Sequence, residues 1–244
     1  WGDNSFGQTS PPEGKYVSVL SGYRHSCAWR ADGAATCWGD NSMGQASPPA
    51  GKFRMLAPGA EHTCGLLESG QIVCWGSNGR GATDAKPGAY EYVVSGLHFS
   101  CGLKLTGEVE CWGDNTFGQS SPPAGSYSAI AAGDAHACAV GESSSVVCWG
   151  NNDFGQASPP PGRFDGVVGG KSDTCGMRQG DYVVACWGEH HFPNSPPGAG
   201  SFTLGDDCYC AIVEGSTMYC QGTEALPGKF RNVISASPVF RIVR

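Results

Sequence analysis

The sequence predicts an all-β fold, a seven-bladed β-propeller, and three observations carry this prediction. First, a Trp-Gly pair recurs in steps of 37 residues, once of 38, at Trp1, Trp38, Trp75, Trp112, Trp149 and Trp187. Second, the cysteines alternate between near and far spacings in phase with that repeat. Third, short β-type runs are bounded by Gly, Pro, Asn and Asp, and no run keeps a helical period. Repeats of this length are typical of solenoids and propellers.

Each repeat contains the same elements in the same order. In the first repeat, three short strands are predicted, and a polar turn and a Pro-Pro link follow them, at residues 16–22, 25–30, 34–39, 40–45 and 47–51 respectively. A sheet of three or four such strands cannot bury both of its faces alone. Radial stacking of the sheets buries them, with the Trp of each repeat as a wedge between neighbours.

The cysteine spacing fixes the register of the second and third strands. If Cys27 faces Cys37 across an antiparallel pair, the connecting loop is residues 31–33. A three-residue hairpin loop favours Gly at its last position, where φ is positive. Gly33, Gly70 and Gly107 occupy that position in three repeats. The fifth repeat has one extra residue, which predicts a four-residue loop around Gln179-Gly180.

The same spacing predicts six local disulfides: Cys27–Cys37, Cys64–Cys74, Cys101–Cys111, Cys138–Cys148, Cys175–Cys186 and Cys210–Cys220. Such regular use of cysteine implies an oxidising, extracellular or periplasmic setting. The alternative is zinc, but structural zinc sites favour tight C-x₂₋₄-C clusters and the sequence has none. Cys208 is left over, either as a free thiol, as a competitor of Cys210 for Cys220, or as a link to another chain.

The ends of the chain are expected to close the ring. Six repeats span about 15–228, and the sequence after them, 229–244, reads as the opening strand of a further repeat. Residues 1–14 read as the closing part of one. Together they predict a composite seventh blade within a single domain, 1–244, and leave no free sheet edge. This blade lacks a disulfide because Arg241 stands where the others have their first Cys.

Composition excludes several classes of protein. No Gly-X-Y triplet recurs among the 38 Gly, so the chain is not collagen, and 10% aromatic residues need burial, which argues against disorder. No run approaches the roughly 18 apolar residues of a membrane span. A net charge of −7 argues against nucleic acid, whose binding rests on clustered cations.

The motif Trp1-Gly2-Asp3-Asn4-Ser5-Phe6-Gly7-Gln8, with the upstream Gly-x-x-His-x-Cys stretch, resembles repeats of the regulator-of-chromosome-condensation propeller superfamily. The short unit is most similar to the compact secreted branch, which includes a bacterial β-lactamase-inhibitor propeller and the ectodomain of CRINKLY-type receptor kinases. The resemblance covers the whole chain and implies a propeller fold. It implies little about function, because propellers of this kind bind many unrelated partners.

The candidate binding site is where the repeats stop repeating. Two positions in each repeat, between a fixed Gly and the residue two before the first Cys, vary in charge and size. Loops at one end of a ring form a continuous surface. The predicted loop ring consists of Tyr23, Arg24, Ala60, Glu61, Leu97, His98, Asp134, Ala135, Lys171, Ser172, Asp206 and Asp207, with Ser237 and Pro238 in the composite blade.

Two metal interpretations have simpler structural alternatives. His25, His62 and His136 share one repeat position and could ring a metal, but such a His more commonly fixes a turn through neighbouring backbone. Glu189-His190-His191 is a weaker metal candidate. Oxygen-rich turns such as Asp40-Asn41-Ser42 invite a calcium interpretation, which Asx side chains folding back on a turn explain more simply.

No catalytic set emerges, because there is no nucleophile elbow, no H-E-x-x-H and no phosphate-binding glycine loop. The sequence therefore predicts a non-enzymatic extracellular binding module, without cofactor, that recognises a protein or peptide; a receptor ectodomain is one protein of this kind. The alternatives are a structural subunit that contacts like subunits in a filament or surface layer, and a secreted enzyme inhibitor. Neither nucleic acid nor membrane insertion within this chain is expected.

Overall fold

The computed structural model describes residues 3–205, 208–213 and 217–222. Regular structure there consists of strands alone: β1 (Ser18–Ser21), β2 (His25–Trp29), β3 (Ala35–Gly39), β4 (Phe53–Pro58), β5 (His62–Leu67), β6 (Ile72–Gly76), β7 (Tyr90–Ser95), β8 (Phe99–Lys104), β9 (Val109–Gly113), β10 (Tyr127–Ala132), β11 (His136–Gly141), β12 (Val146–Gly150), β13 (Phe164–Gly169), β14 (Asp173–Arg178), β15 (Val184–Gly188), β16 (Ser201–Leu204), β17 (Cys208–Val213) and β18 (Thr217–Gly222). The described residues contain no helix that is long and apolar enough to cross a membrane.

The strands of the described chain form six antiparallel sheets of three, and each sheet is built from consecutive strands. We call these sheets blades 1 to 6, from β1-β2-β3 to β16-β17-β18. The ends of the first strands of the blades line one common cavity, so these strands lie nearest the axis. The third strands lie outermost, which is the radial arrangement of a propeller. The all-β prediction is confirmed.

The predicted hairpin register is confirmed. Cys27 lies opposite Cys37, and Arg30 N donates to Ala34 O at 3.0 Å, which leaves residues 31–33 as the loop. Gly33 at the loop's last position has a φ of 83°. In blade 5, Arg178 N donates to Val183 O at 2.9 Å and closes the predicted four-residue loop.

All six predicted disulfides are present, at Cys27–Cys37, Cys64–Cys74, Cys101–Cys111, Cys138–Cys148, Cys175–Cys186 and Cys210–Cys220. Each joins the second and third strands of one blade, at Cα–Cα distances of 4.0 to 4.1 Å. The covalent bonds therefore lie within blades, and the contacts between blades depend on packing and hydrogen bonds.

The Trp of each repeat packs between blades, as predicted. Trp75 of blade 2 lies in one apolar cluster with Leu20 and Cys27 of blade 1, and its ring centroid is 5.8 Å from that of Phe53. Its indole Nε1 also donates to Gln45 O, in the turn that joins the two blades, at 2.9 Å. The same bond recurs at Trp38, Trp112, Trp149 and Trp187. Each Trp thus fixes its blade to the turn that precedes it.

The predicted composite blade falls outside the described residues, since neither 229–244 nor Trp1 and Gly2 is described. Residues 3–14 form turns and a link. The thiol of Cys208 also falls outside what the structure describes, whereas Cys220, for which it could compete, pairs with Cys210.

Candidate binding surface

The predicted loop ring and the polar turns lie at the same end of the propeller. His25, the first residue of β2, pairs with Gly39, the last residue of β3, so the loop before β2 and the turn after β3 are neighbours. A backbone bond joins them, since Asp40 N donates to Arg24 O at 2.8 Å. We call this the loop end, and the opposite end, with the β2–β3 type of loops, the hairpin end.

A central cavity of about 300 Å³ opens at the loop end. In blades 1 to 5, the first member of the predicted residue pair lines it. We call these residues the inner row: Tyr23, Ala60, Leu97, Asp134 and Lys171. Backbone bonds link them from blade to blade, since Leu97 N donates to Asp134 O at 3.0 Å and Ala60 N donates to Leu97 O at 3.3 Å. The inner row is thus a set of unlike side chains on a continuous hydrogen-bonded backbone.

The fixed Gly that precedes each pair is required by close packing around the axis. A Cβ on Gly59 would lie 2.6 Å from Gly96 O of the next blade, and one on Gly96 would lie 2.5 Å from Gly133 O. Real Cβ atoms do not approach a carbonyl oxygen so closely, because the atoms overlap. The glycines therefore let the blades converge, and they explain why variation begins one residue later.

The second member of each pair does not line this cavity. We call these residues the middle row: Arg24, Glu61, His98, Ala135 and Ser172. Glu61 and His98 instead line a pocket of about 180 Å³ between blades 2 and 3, together with Arg80. The predicted loop ring therefore divides into two rows with different surroundings. Asp206 and Asp207, which were predicted to continue it, lie outside the described residues.

An outer row of exposed side chains, which we did not predict, completes this face. The residue before the Gly-Gln or Gly-Ala of each polar turn points to solvent, and among the large apolar ones the exposed fraction is 44% for Phe6, 53% for Met43, 51% for Phe117 and 52% for Phe154. Arg80 takes this position in the turn after blade 2 and forms an ion pair with Asp114 at 2.8 Å. The sequence shows this position as a repeated Phe, but repetition alone does not distinguish a residue that packs in the scaffold from one that is exposed for binding.

The turns that carry the outer row are held by their own side chains. Ser42 N donates to Asp40 Oδ1 at 3.0 Å, Ala46 N donates to Asn41 Oδ1 at 2.9 Å, and Met43 N donates to Gln45 Oε1 at 2.9 Å. The bond from Ser42 N lowers the pKa of Asp40. The interpretation of these residues as Asx turns is confirmed. No group of three or more His, Cys, Asp or Glu converges as a metal site in the part of the chain that the structure describes.

The shared His position is buried between blades. Nε2 of His25 lies 2.8 Å from Thr63 Oγ1 of the next blade, and Thr63 in turn donates to Gln45 O at 2.9 Å. The hydroxyl proton is thus used, so Nε2 carries the imidazole proton and donates. The prediction of a structural role for His25 agrees with this contact, but its expected partner, the backbone of its own turn, was wrong: the partner is a hydroxyl one blade away, because the ring reaches across the interface.

The two other histidines repeat this contact. His62 Nε2 lies 2.8 Å from Ser100 Oγ, and His136 Nε2 lies 2.8 Å from Thr174 Oγ1. Burial lowers the pKa of His25 to about 4, of His62 to about 3 and of His136 to about 4, because a charged imidazole is disfavoured away from water. The three side chains are therefore neutral parts of the scaffold beneath the loop end.

In blades 3 and 5 another residue replaces the shared His, and its contact partner changes with it. Blade 3 has Phe99 there, and the residue 38 positions on is Ala137 instead of a hydroxyl residue; both are buried. Blade 5 has Asp173, whose carboxylate accepts from His190 N at 2.8 Å and lies 2.7 Å from His190 Nδ1. His190 thereby fixes the start of the loop departure that had been considered a metal candidate.

The loop end is more acidic than the hairpin end in the described residues. Its carboxylates, apart from buried Asp173, are Asp3, Asp40, Glu61, Asp84, Asp114, Asp134, Asp153 and Glu189, and its Lys and Arg side chains are Arg24, Arg80 and Lys171. At the hairpin end and the adjoining links, acidic and basic residues are nearly balanced in number. The acids there are Glu13, Asp32, Glu68, Glu91, Glu108, Glu110, Glu142, Asp165 and Asp181, and the bases are Lys15, Arg30, Lys52, Arg54, Lys86, Lys104, Arg163 and Arg178. The excess negative charge is therefore concentrated on the face with the exposed aromatic residues.

Radially packed three-stranded blades with a common axial cavity define a β-propeller. The sequence of four segments, residues 16–45, 57–82, 91–119 and 127–156, matches the family of the Regulator of chromosome condensation (RCC1) repeat. These four segments are therefore similar to RCC1 repeats. None of the curated proteins matches the sequence.

Solved structures support the same fold. The CRINKLY WD40 ectodomain of the Arabidopsis thaliana receptor kinase ACR4 is 28% identical, with a TM-score of 0.73, over 91% of this chain and 84% of that one. The entire ectodomain of the Physcomitrella patens receptor kinase CR4 is 27% identical, with a TM-score of 0.74, over 87% of this chain. The match spans 63% of that ectodomain, less than two thirds of its length. Yeast RCC1 (Prp20), in a structure bound to Kap60, matches in fold at 16% identity, with a TM-score of 0.69, over 85% of this chain and 70% of that one.

Proposed function

We propose that this chain is an extracellular, non-enzymatic binding module that recognises a protein or peptide partner at its loop end. The observation that carries the proposal is the contrast between a repeated scaffold and the unlike side chains of the inner and middle rows. A rigid framework that presents variable loops on one continuous face is a common arrangement for recognition. The similarity to two receptor kinase ectodomains and the six disulfides support an extracellular location.

The geometry of the face supports a macromolecular partner better than a small molecule. The central cavity is open to solvent and is bordered by side chains of different size and charge, from exposed Tyr23 to Lys171. Small-molecule sites usually enclose most of the ligand in a largely apolar pocket. The exposed aromatic residues of the outer row extend the surface well beyond the cavity, as a protein or peptide interface requires.

Selection of peptides from a random library on the folded, oxidised protein tests the proposal. The binding of a selected peptide is then measured for wild type, Tyr23→Ala at the loop end and Leu105→Ala at the hairpin end. These two side chains are exposed to nearly the same extent, at 65% and 67%. We expect Tyr23→Ala to weaken binding by about tenfold or more, as loss of a contact residue does, and Leu105→Ala to change it by less than about twofold. Equal losses, or a loss at Leu105 alone, would overturn the proposal.

A further inference from the structure

The outer row contains one aromatic residue that is already covered by a cation. The guanidinium carbon of Arg24 lies 5.0 Å from the centroid of the Phe6 ring and 5.5 Å from that of Tyr23. A guanidinium within about 6 Å of an aromatic ring is attracted by the negative face of that ring. The loop end thus holds a cation against its own aromatic residues at blade 1.

The same backbone framework surrounds the corresponding position in blade 4. A Cβ on Gly39 would lie 2.6 Å from Arg24 O and 3.1 Å from Cβ of Gln8, and a Cβ on Gly150 would lie 2.6 Å from Ala135 O and 3.1 Å from Cβ of Gln119. Gln8 and Gln119 both hold the outer-row Phe two residues before them through their Oε1 atoms, at 2.9 and 2.8 Å. Ala135 therefore occupies the position relative to Phe117 that Arg24 occupies relative to Phe6.

The cation is missing where the framework repeats. The middle row has Ala135 beside Phe117 and Ser172 beside Phe154, and neither side chain is long enough to cover a ring. Phe117 and Phe154 keep exposed fractions of 51% and 52% in adjacent turns. Asp153 precedes Phe154 in one turn, and the turn of Phe117 contains Asp114, which also pairs with Arg80 at 2.8 Å. Exposed aromatic faces beside carboxylates provide two complementary attractions for a guanidinium or an ammonium group.

We propose that Phe117 and Phe154 bind Arg or Lys side chains of a cationic peptide segment, each in the way that Phe6 binds Arg24. The inference rests on the proposed function, because it names the chemistry of the partner at the same face. Charge complementarity favours this partner, because carboxylates outnumber cations at the loop end of the described chain. An acidic segment would be repelled there, and a neutral segment would gain no electrostatic attraction.

The first test measures binding of a fluorescein-labelled octa-arginine peptide by anisotropy, with octa-glutamate as the negative probe. We expect the arginine peptide to bind, and Phe117→Ala and Phe154→Ala each to weaken it by about three- to tenfold. Tyr182→Ala is the control, since this aromatic residue is also exposed, at 40%, but lies at the hairpin end, and it should change binding by less than about twofold. Unchanged melting temperatures for these exposed positions show that the variants fold. No binding, or a loss for Tyr182→Ala equal to the losses for the two Phe variants, would overturn the inference.

A second pair of variants separates ring coverage from net charge. Arg24→Ala uncovers Phe6 and should tighten binding, whereas Lys52→Ala removes the same charge at the hairpin end and should have little effect. Conversely, Ala135→Arg covers Phe117 and should weaken binding by about tenfold, whereas Gln71→Arg adds the same charge at the hairpin end. Equal effects within each pair would show that only the overall charge of the protein matters and would overturn the inference.

The peptides selected from the random library make the two proposals distinguishable. Selected peptides that require Tyr23, lack Arg and Lys, and are indifferent to Phe117→Ala and Phe154→Ala would overturn this inference and leave the proposed function intact. Selected peptides that do not depend on Tyr23 would overturn the proposed function itself. Selected peptides that are rich in Arg or Lys and sensitive to both Phe variants would support both.

Discussion

At the scale of single residues, an interface position is filled in two compatible ways. His62 faces Ser100 across one pair of blades, and the equivalent pair one blade further on is Phe99 with Ala137. A polar ring is matched by a hydroxyl and an apolar ring by a methyl group, so neither interface leaves an unpaired side-chain donor at Nε2. The Phe99–Ala137 pair is thus a natural apolar counterpart against which the contribution of the buried His62–Ser100 pair to stability can be compared.

This match predicts how stability depends on pH. The folded pKa of His62, about 3, lies below its ordinary value of 6.5, so the unfolded chain binds more protons than the folded one between those values. Stability contributed by neutral His62 is therefore present above pH 6.5 and is lost as the pH falls towards 3. The double variant His62→Phe, Ser100→Ala should lose less free energy of unfolding between pH 6.5 and pH 4 than wild type, by up to roughly 1.4 kcal/mol for each unit in that window.

Denaturant unfolding at several pH values measures this difference, and His191→Phe provides a control at an exposed histidine. Parallel stability profiles for wild type and the double variant would contradict the assignment of His62 as a buried neutral group.

A second residue-scale prediction concerns the hairpin loops. Ser144 occupies the last loop position of blade 4 with a φ of 63°, where Gly70 of blade 2 has a φ of 86°. A side chain in this left-handed region costs roughly 1 kcal/mol because Cβ approaches the following carbonyl. Ser144→Gly should therefore raise the melting temperature by about 2–4 °C, and the reverse change Gly70→Ser should lower it by a similar amount. Shifts in the same direction for both variants, measured calorimetrically, would contradict this explanation.

At the scale of the blade, sequence and structure agree best where the signal is local. The hairpin register follows from Cys27, Cys37 and Gly33 within a dozen residues, and covalent and conformational constraints there leave one solution. The partner of His25 was mispredicted because it lies in the next blade, where propensity and spacing within one repeat give no information. The exposed Phe117 was overlooked because a repeated residue has the same pattern whether it serves packing or binding.

The disulfides should stabilise blades locally. Each closes a loop of about eleven residues, which the chain-entropy model values at up to about 3 kcal/mol, with less expected because the hairpin is already local. Replacement of Cys101 and Cys111 by Ala should therefore lower the free energy of unfolding by about 1–3 kcal/mol. Hydrogen exchange should show the loss of protection concentrated in β8 and β9. A global loss spread evenly over all six blades would contradict local stabilisation.

At the scale of the whole molecule, we propose that residues 229–244 pair with residues 1–14 as a seventh blade. The proposal rests on the phase of the repeat, since the first segment reads as an opening strand and the second contains the polar turn Asp3-Asn4-Ser5. Deletion of 229–244 should expose the faces of blades 1 and 6 and lower the melting temperature by more than about 5 °C. A truncated protein with the melting temperature of wild type would show that the ring does not close in this way.

The uneven distribution of acidic groups and exposed aromatic rings between the two ends of the propeller is also a property of the whole molecule. Acidic groups and uncovered aromatic rings share the loop end, whereas acids and bases are closely balanced at the hairpin end and links of the described chain. Long-range attraction should then orient a cationic partner before contact and make association depend on ionic strength. Octa-arginine should therefore associate more slowly as salt is raised from 50 to about 300 mM. A rate independent of salt, measured by stopped flow, would contradict this.

A hydrogen-exchange footprint of the complex with a library-selected peptide tests the central claim most directly, because it locates the partner on the molecule. Our account places the partner on the loop end. Protection should appear in the loops 22–24, 59–61, 96–98 and 133–135 and in the outer-row turns around Phe117 and Phe154. Protection confined to the hairpin loops, such as residues 31–33 and 68–70, would contradict the account.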